Sequence, residues 1–446
     1  MALQDLANVV LSVQGPALTQ VGFGTVACAA YHTHNADLLR TYTNLADMTT
    51  DGFLAYEPAY IMVQRAFQQS PRPDRVQLLR LQTPWTEVVT FTPVSAVNLT
   101  VYSFVASYKG VDYPVSYTSD STATIAEICA GLNAAFGALP AAISTHAAAS
   151  GGVTFSTITT TAAGDMIYYS AWTDNLTFVN ATTDPGIATD LGVIRNANTD
   201  WYGLAIDMNS NAIIRAADGW AETQDMLCGF DNCDSADFNS GSTTDVGYLL
   251  KGLSAARCLV GFPSKDTRNY MGVAMLAERF PHDPGSVGAG GTFFGKTLVG
   301  VTPGAWTATQ ITNLRAKNYV TYVTTSGRNH TFDGKTPSGE FGDQVRGLDW
   351  YRIRSEERIA TLLLNNDKVP FTDRGISQIY SELVAQQLDG EAVELFVPGT
   401  STMTVPLRAS TNPTDRANRV LKGIVGSVTL AGAIHLVSPI NVTVGF

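Results

Sequence analysis

In the segment WYGLAIDMNSNAIIRAADGWAETQDMLCGF, residues 201–230, a short apolar run, a helix-like run and a second apolar run follow one another. Strand, helix and strand in succession mark an α/β unit. The rhythm continues through TTDVGYLLKGL, RCLVGFP and NYMGVAMLAERF. It is also present earlier. Residues 35–69 read as helical, with Leu38, Leu39, Tyr42 and Leu45 on one face of NADLLRTYTNLADM. The segment PAYIMVQRAFQQSPRP places Pro58 near a helix N-terminus and stops before Pro71. RVQLLRL, residues 75–81, then reads as a buried strand.

Between these two α/β stretches the composition changes. From about residue 88 to 195 the chain is rich in Thr, Ser, Val, Tyr and Gly, and charges are sparse. Short strands separated by turn signals predict a β-rich module. One helix interrupts it, TIAEICAGLNAAFGAL, capped by Thr122 or Thr124. The expectation is an α/β middle domain of residues 25–87 and 196–295, with residues 88–195 inserted as a second domain. A surface loop tolerates such an insertion, because loop-closure entropy grows slowly with length.

Beyond residue 296 the style changes again, and residues 296–446 are expected to form a C-terminal α+β domain. TATQITNLRAKNY predicts a helix and VTYVTT a strand. DQVRGLDWYRIRSEERIATLLLNN predicts a long helix, with Val345, Leu348, Ile353, Ile359 and Leu363 near helical spacing. FTDRGISQIYSELVAQQLDG predicts a second, capped by Thr372 and closed by Gly390. The tail predicts two strands, about 420–430 and 433–445. At the other end, Val9, Leu11 and Val13 alternate in a strand that Gly15 and Pro16 break. The fold class expected is therefore mixed α/β and α+β, multi-domain, with extended terminal strands.

Bulk properties narrow the function. The net charge of −11 and the lack of any Lys/Arg block argue against direct nucleic-acid binding. No apolar run approaches the roughly 20 residues of a membrane helix, so membrane insertion is not expected. MALQDLANVVLSVQ has no basic n-region, and a cytoplasmic origin is the expectation. Five scattered cysteines, Cys28, Cys129, Cys228, Cys233 and Cys258, read as free and mostly buried thiols.

Motifs point away from catalysis. GGTFFGKT, residues 290–297, fits the P-loop spacing with Gly290, Gly295, Lys296 and Thr297. A P-loop needs a strand before it and a helix after it. Here a loop precedes it and LVGVTPGAW follows, where Gly300, Pro303 and Gly304 oppose a helix. The expectation is a glycine-rich crossing with Phe293 and Phe294 docked into a core. His32 and His34, two residues apart, could share a metal, but no third cluster accompanies them. Asp231, Asp234 and Asp237 lack EF-hand spacing and read as a solvated acidic loop. Glu356 and Glu357 read as a surface charge network with Arg352, Arg354 and Arg358. No cofactor and no catalytic residues are expected, and the profile favours a structural protein over an enzyme.

Several stretches in order carry a resemblance: GFLAYEPAYIMVQRAFQQSPRPDRVQLLRL, DWYGLAID, GKTLVGVTPGAWTATQITNLRAKNYVTYV, KVPFTDRGISQIYSELV and TDRANRVLKGIVGSVTLAGAIHLV. The chain resembles a contractile tail sheath protein of a tailed bacteriophage, of the type with an inserted domain. The resemblance implies a subunit of the virion, assembled in the host cytoplasm, that stacks as six-fold rings around the tail tube. It implies the chain itself, the tube protein, and the baseplate and tail terminator proteins as partners. Terminal arms would reach neighbouring subunits by strand addition, with Val9, Leu11, Val13, Ile434, Leu436, Val442 and Val444 as candidates. Residues 1–24 would pack as an arm with the C-terminal domain. That domain would face the tube, and Asp373, Arg374, Glu382 and Asp389 are the candidate contacts. Another tail or baseplate protein is the first alternative, and a carbohydrate-binding module or enzyme the more distant one.

Overall fold

The computed structural model describes residues 22–154 and 156–437. The chain forms two compact units. One takes in Gly22–Pro284 and Gly290–Arg346 together with the chain from Ala433. The other takes in Gly285–Ala289 and Gly347–Gly432. The protein is mixed α/β with several sheets.

The larger unit is built on an eight-stranded sheet. Its strands run in the order Arg328–Phe332, Val320–Thr325, Cys258–Phe262, Leu227–Asp231, Gly203–Ile206, Val26–Tyr31, Val76–Leu81 and Leu39–Tyr42. The inner strands are parallel and the two edge strands antiparallel. Parallel strands are covered on both faces, which is why VACAAY and CLVGF carry no polar alternation and are buried almost throughout. Helices Asn211–Ala221, Ile187–Ala197 and Val246–Gly252 place Ile213, Ile214, Leu191, Ile194, Val246 and Leu250 in one core with these strands.

The segment 88–180 forms two antiparallel sheets around Ile125–Gly137 and a separate aromatic core. Phe91 stacks on Phe104 at 4.0 Å, and Trp172 on Phe178 at 4.6 Å. Thr124 caps the helix in a capping box with Glu127, so the cap is Thr124 and not Thr122. Residues 187–195, expected within the insertion and not as a helix, begin helix Ile187–Ala197, which packs in the core of the eight-stranded sheet instead.

Other expectations are corrected. The helix expected over 35–48 is a strand, Leu39–Tyr42, and a short helix, Leu45–Thr50. Thr41, Tyr42 and Thr43 favour extended backbone, and Val76–Leu81 offers an open edge to pair with. Asn44 then starts the helix by accepting from the Asp47 amide. Strand Val320–Thr325, expected in the C-terminal domain, extends the large sheet, and Arg328–Phe332, a polar segment not expected to be a strand, pairs along its outer side.

The acidic loop is not solvated. Asp234 and Asp237 are buried. Asp231 accepts from the amides of Met271 and Gly272 in the first turn of helix Met271–Arg279. Asn180 donates its amide to Asp234 at 2.9 Å, and Asn232 and the Tyr319 hydroxyl donate to Asp237. Burial pushes Asp231 to about 6 and Asp234 to about 7. Arg346, also buried, donates to the carbonyls of Phe23, Arg279 and Phe280 at 3.0–3.1 Å. It thereby satisfies carbonyls that end helix Met271–Arg279.

Asp245 caps helix Val246–Gly252 through the Tyr248 amide at 2.9 Å. It also pairs with Lys317 at 2.8 Å, and both side chains are buried. Lys317 donates further to the carbonyls of Asp237 and Asn239. Asp245→Ala should destabilise by about 3–5 kcal/mol, because it strands a buried ammonium and removes a cap. Urea unfolding followed by circular dichroism measures it. A loss below about 1 kcal/mol would show that the pair is solvated in practice.

Candidate assembly surface

The smaller unit has a thin interior. Helix Gly342–Asn365 crosses into it at Gly347, and Asp373–Ala392 follows. Thr372 caps the second helix, as expected, by accepting from the Gly375 amide. Gly390, expected at its end, lies inside it, and the helix runs on to Ala392. The reason is packing: a Cβ at Gly390 would stand 2.5 Å from the Phe396 ring, which fills that space and meets Tyr351 edge-on.

Charge joins the two helices. Arg358 pairs with Glu382 at 3.6 Å and with Asp389, and donates to Gln386 at 2.9 Å. Two of the four tube-facing candidates, Glu382 and Asp389, are therefore paired with Arg358, and a third is engaged by backbone. Asp373 accepts from the Arg408 amide at 2.6 Å, and Arg374 is exposed. Of the expected surface network, Arg352 pairs with Glu356 at the surface, whereas Arg354 and Glu357 pair largely out of solvent and Arg358 reaches the other helix instead.

The apolar spacing that predicted the long helix is only half used. Val345 and Trp350 are buried, yet Leu363 and Leu364 are 50% and 71% exposed. On the second helix Leu388 is 57% exposed. Leu407 and Val425 extend the exposed apolar surface. The expected strand at 420–430 is only Val425–Ser427, paired with Thr402–Thr404. Among the described residues this two-stranded sheet has no further strand on either side. Such an edge presents unpaired amides and carbonyls that a third strand can take up.

The chain from 433 to 437 forms no strand. Ile434 is 86% exposed and Leu436 65%. His435 between them is the anchor. It stacks on Phe294 at 4.6 Å, meets Phe341 edge-on and hydrogen-bonds Thr292 at 2.9 Å. Its only mark in the sequence is that it is the one polar residue in the aliphatic run AIHLV. Val9, Leu11, Val13, Val442 and Val444 lie outside the described residues.

The P-loop-like segment docks against strand Arg328–Phe332. The amides of Gly295 and Lys296 donate to the Thr331 carbonyl and hydroxyl at 2.9 Å, and Phe293 is buried. These amides are engaged by protein, and the next helix starts only at Ala308. Among the described residues no three His, Cys, Asp or Glu side chains are grouped to hold a metal ion. Among them, too, no helix is long and apolar enough to cross a membrane.

Solved structures share this architecture. The PVC sheath complex of an extracellular contractile injection system, in the contracted state, aligns over 97% of this chain and 95% of its own, with a TM-score of 0.55 and 7% identity. The anti-feeding prophage helical sheath in the contracted state aligns over 98% of both chains, with a TM-score of 0.52 and 11% identity. This chain has the contractile-sheath fold. A chain of the six-fold symmetrised anti-feeding prophage baseplate aligns equally far, with a TM-score of 0.55 and 11% identity. No protein-family model matches the sequence, and no curated protein matches it. Because the alignments span nearly the whole chain, the sheath fold takes in the thin C-terminal unit as well as the large sheet.

Proposed function

We propose that the chain is the structural subunit of a contractile sheath. Copies stack as six-fold rings around an inner tube and shorten to drive that tube through a target envelope. The observation that carries this reading is a sheath fold whose C-terminal unit leaves Leu363, Leu364 and Leu388 exposed and a hairpin edge open. A second copy covers that surface, and terminal arms complete the hairpin by strand addition. The subunit performs no chemistry. Contraction exchanges one set of interfaces for another that buries more surface, a bistable packing change.

The division of labour follows. The C-terminal unit faces the tube, and the inserted β module lies outside. Arg374 is the better tube contact, since Arg358 occupies Glu382 and Asp389 and the Arg408 amide holds Asp373. Exposed pairs of this kind are worth at most about 1 kcal/mol each, weak enough to break on contraction. The tube, baseplate and tail terminator proteins are the partners. In a phage the particle is a virion and the stroke delivers the genome. The neighbours favour a second reading of the particle, an extracellular injection device built on the same sheath.

Negative-stain electron microscopy across a concentration series tests the proposal. Hollow striated tubes, or rings with six-fold end views, are expected. Monodisperse particles at every concentration, both alone and co-expressed with a tube protein, would overturn it.

A further inference from the structure

The large sheet has a reversal point that the sheath reading leaves unused. From strand Val26–Tyr31 the chain passes through helix Pro58–Phe67 to Val76–Leu81 on one side. It returns to Gly203–Ile206 on the other side of the same strand. Open parallel sheets bind ligands outside the carboxyl ends of their strands at such a point. A cavity of about 440 Å³ opens there, lined by Tyr31, His32, His34, Tyr56, Glu57 and Tyr108, among others. Its size lies within the range of small-molecule sites.

The cavity is walled by two parts of the fold. Tyr31, His32 and His34 continue the central strand, and Glu57 precedes helix Pro58–Phe67. Tyr108, Lys109 and Asp165 come from the inserted module. Gly164, at a φ of 86°, lets the module come close, since a Cβ there would stand 2.3 Å from the Tyr31 ring.

The lining decides the ligand. Glu57 meets His34 at 2.8 Å, and Asp165 meets His146 at 2.9 Å. Lys109 sits over the Tyr108 ring at 5.0 Å. The lining thus holds two histidine-bound carboxylates, Glu57 and Asp165, and one ammonium, Lys109, so acceptors and donors are mixed and neither sign of charge is gathered in one place. What remains is aromatic rings beside groups that both donate and accept. His32 adds an independent sign. It is 7% exposed, lines the cavity, and its Nδ1 has no hydrogen-bond partner. Burial and the neighbouring His34 hold it neutral, with a pKa lowered to about 4, so the ring offers one donor and one acceptor. A buried polar atom without a partner is destabilising, and a ligand hydroxyl would relieve it.

We propose that this cavity binds a neutral saccharide unit, one or two rings in size. The tyrosine rings take the apolar face of the sugar. His32, Glu57 and the tyrosine hydroxyls take its hydroxyl groups. The inserted module would then be the roof of a glycan site in addition to its place on the outside of the sheath.

Saturation-transfer NMR on the full chain tests this, with glucose, galactose, mannose, N-acetylglucosamine and their β1–4 disaccharides as probes. Transfer to at least one sugar is expected, with millimolar affinity. Tyr56→Ala and His32→Ala should each weaken it about tenfold or more, which is about 1.4 kcal/mol per tenfold, while circular dichroism stays unchanged. Transfer to none of the sugars, or equal transfer from the Tyr56→Ala protein, overturns the proposal. Tyr56 is half-buried, so its variant keeps the fold even if the His32 variant does not. Tube formation is a separate readout, so failure here leaves the sheath reading untouched.

Discussion

Gly272→Ala should lower the stability of the large unit by about 3 kcal/mol, the upper range for overpacking a core. Helix Met271–Arg279 crosses strand Leu227–Asp231 with backbone against backbone. A Cβ at Gly272 would stand 2.3 Å from the Gly229 carbonyl carbon, and one at Gly229 would stand 2.5 Å from the Gly272 oxygen. No flexible side-chain end can give way, so the helix itself must move. Its movement also pulls the Met271 and Gly272 amides away from Asp231. Urea midpoints of the variant and the parent give the loss, and Gly219→Ala serves as control, since a Cβ there meets nothing within 4 Å. Equal midpoints for all three proteins would show that the close crossing is looser in solution.

Raising the pH from 5 to 8 should weaken the protein, and Glu87→Gln should remove much of that slope. Glu87 is buried at the junction of the inserted module and the large sheet, accepting from the Ile167 amide at 2.7 Å. Burial pushes its pKa from 4.5 to about 8. Asp207, which accepts from the Tyr31 amide, moves from 3.8 to about 8 for the same reason. Between the unfolded and folded values the unfolded chain has lost a proton that the folded chain keeps. The stabilisation is therefore complete below the unfolded pKa and is lost as the pH rises to about 8. For one such carboxyl the loss is on the order of 3–5 kcal/mol. The amide of Gln never ionises, so the variant should be the more stable protein at pH 8 by roughly 2 kcal/mol or more. Parallel pH profiles for parent and variant would place the titration elsewhere.

Much of the fold was legible because it is written in local pattern. The strand, helix and strand of residues 201–230 form as Gly203–Ile206, Asn211–Ala221 and Leu227–Asp231. Thr124 and Thr372 sit where caps belong, and each accepts the amide three residues on. The glycines and prolines around Lys296 already spoke against a phosphate cradle, and Thr331 takes the amides such a cradle would use. Where local pattern misled, a distant partner was the reason. Leu39–Tyr42 pairs with an edge that arrives later in the chain, in register from Tyr42↔Val76 to Leu39↔Leu79. The acidic run at 231–237 is buried because a helix N-terminus at Met271 and the Tyr319 hydroxyl come to meet it.

The candidate assembly residues divide in the same way. The amphipathic spacing of 345–363 was visible, but not that Leu363 would stay exposed, because spacing names a face and not its neighbour. Glu382 and Asp389 looked available until Arg358 was brought across from the other helix. By itself the sequence determined most of the longer helices, the Thr124 and Thr372 caps and the β-rich stretch after residue 88, since each depends on residues within a few turns or strands. Only the tertiary structure decided the strand order, the burial of Glu87 and the acidic run, the cavity beneath the inserted module and the open face of the C-terminal unit. Those depend on which surfaces meet across long separations, and a hydrophobic pattern states that a face must be covered without stating by what.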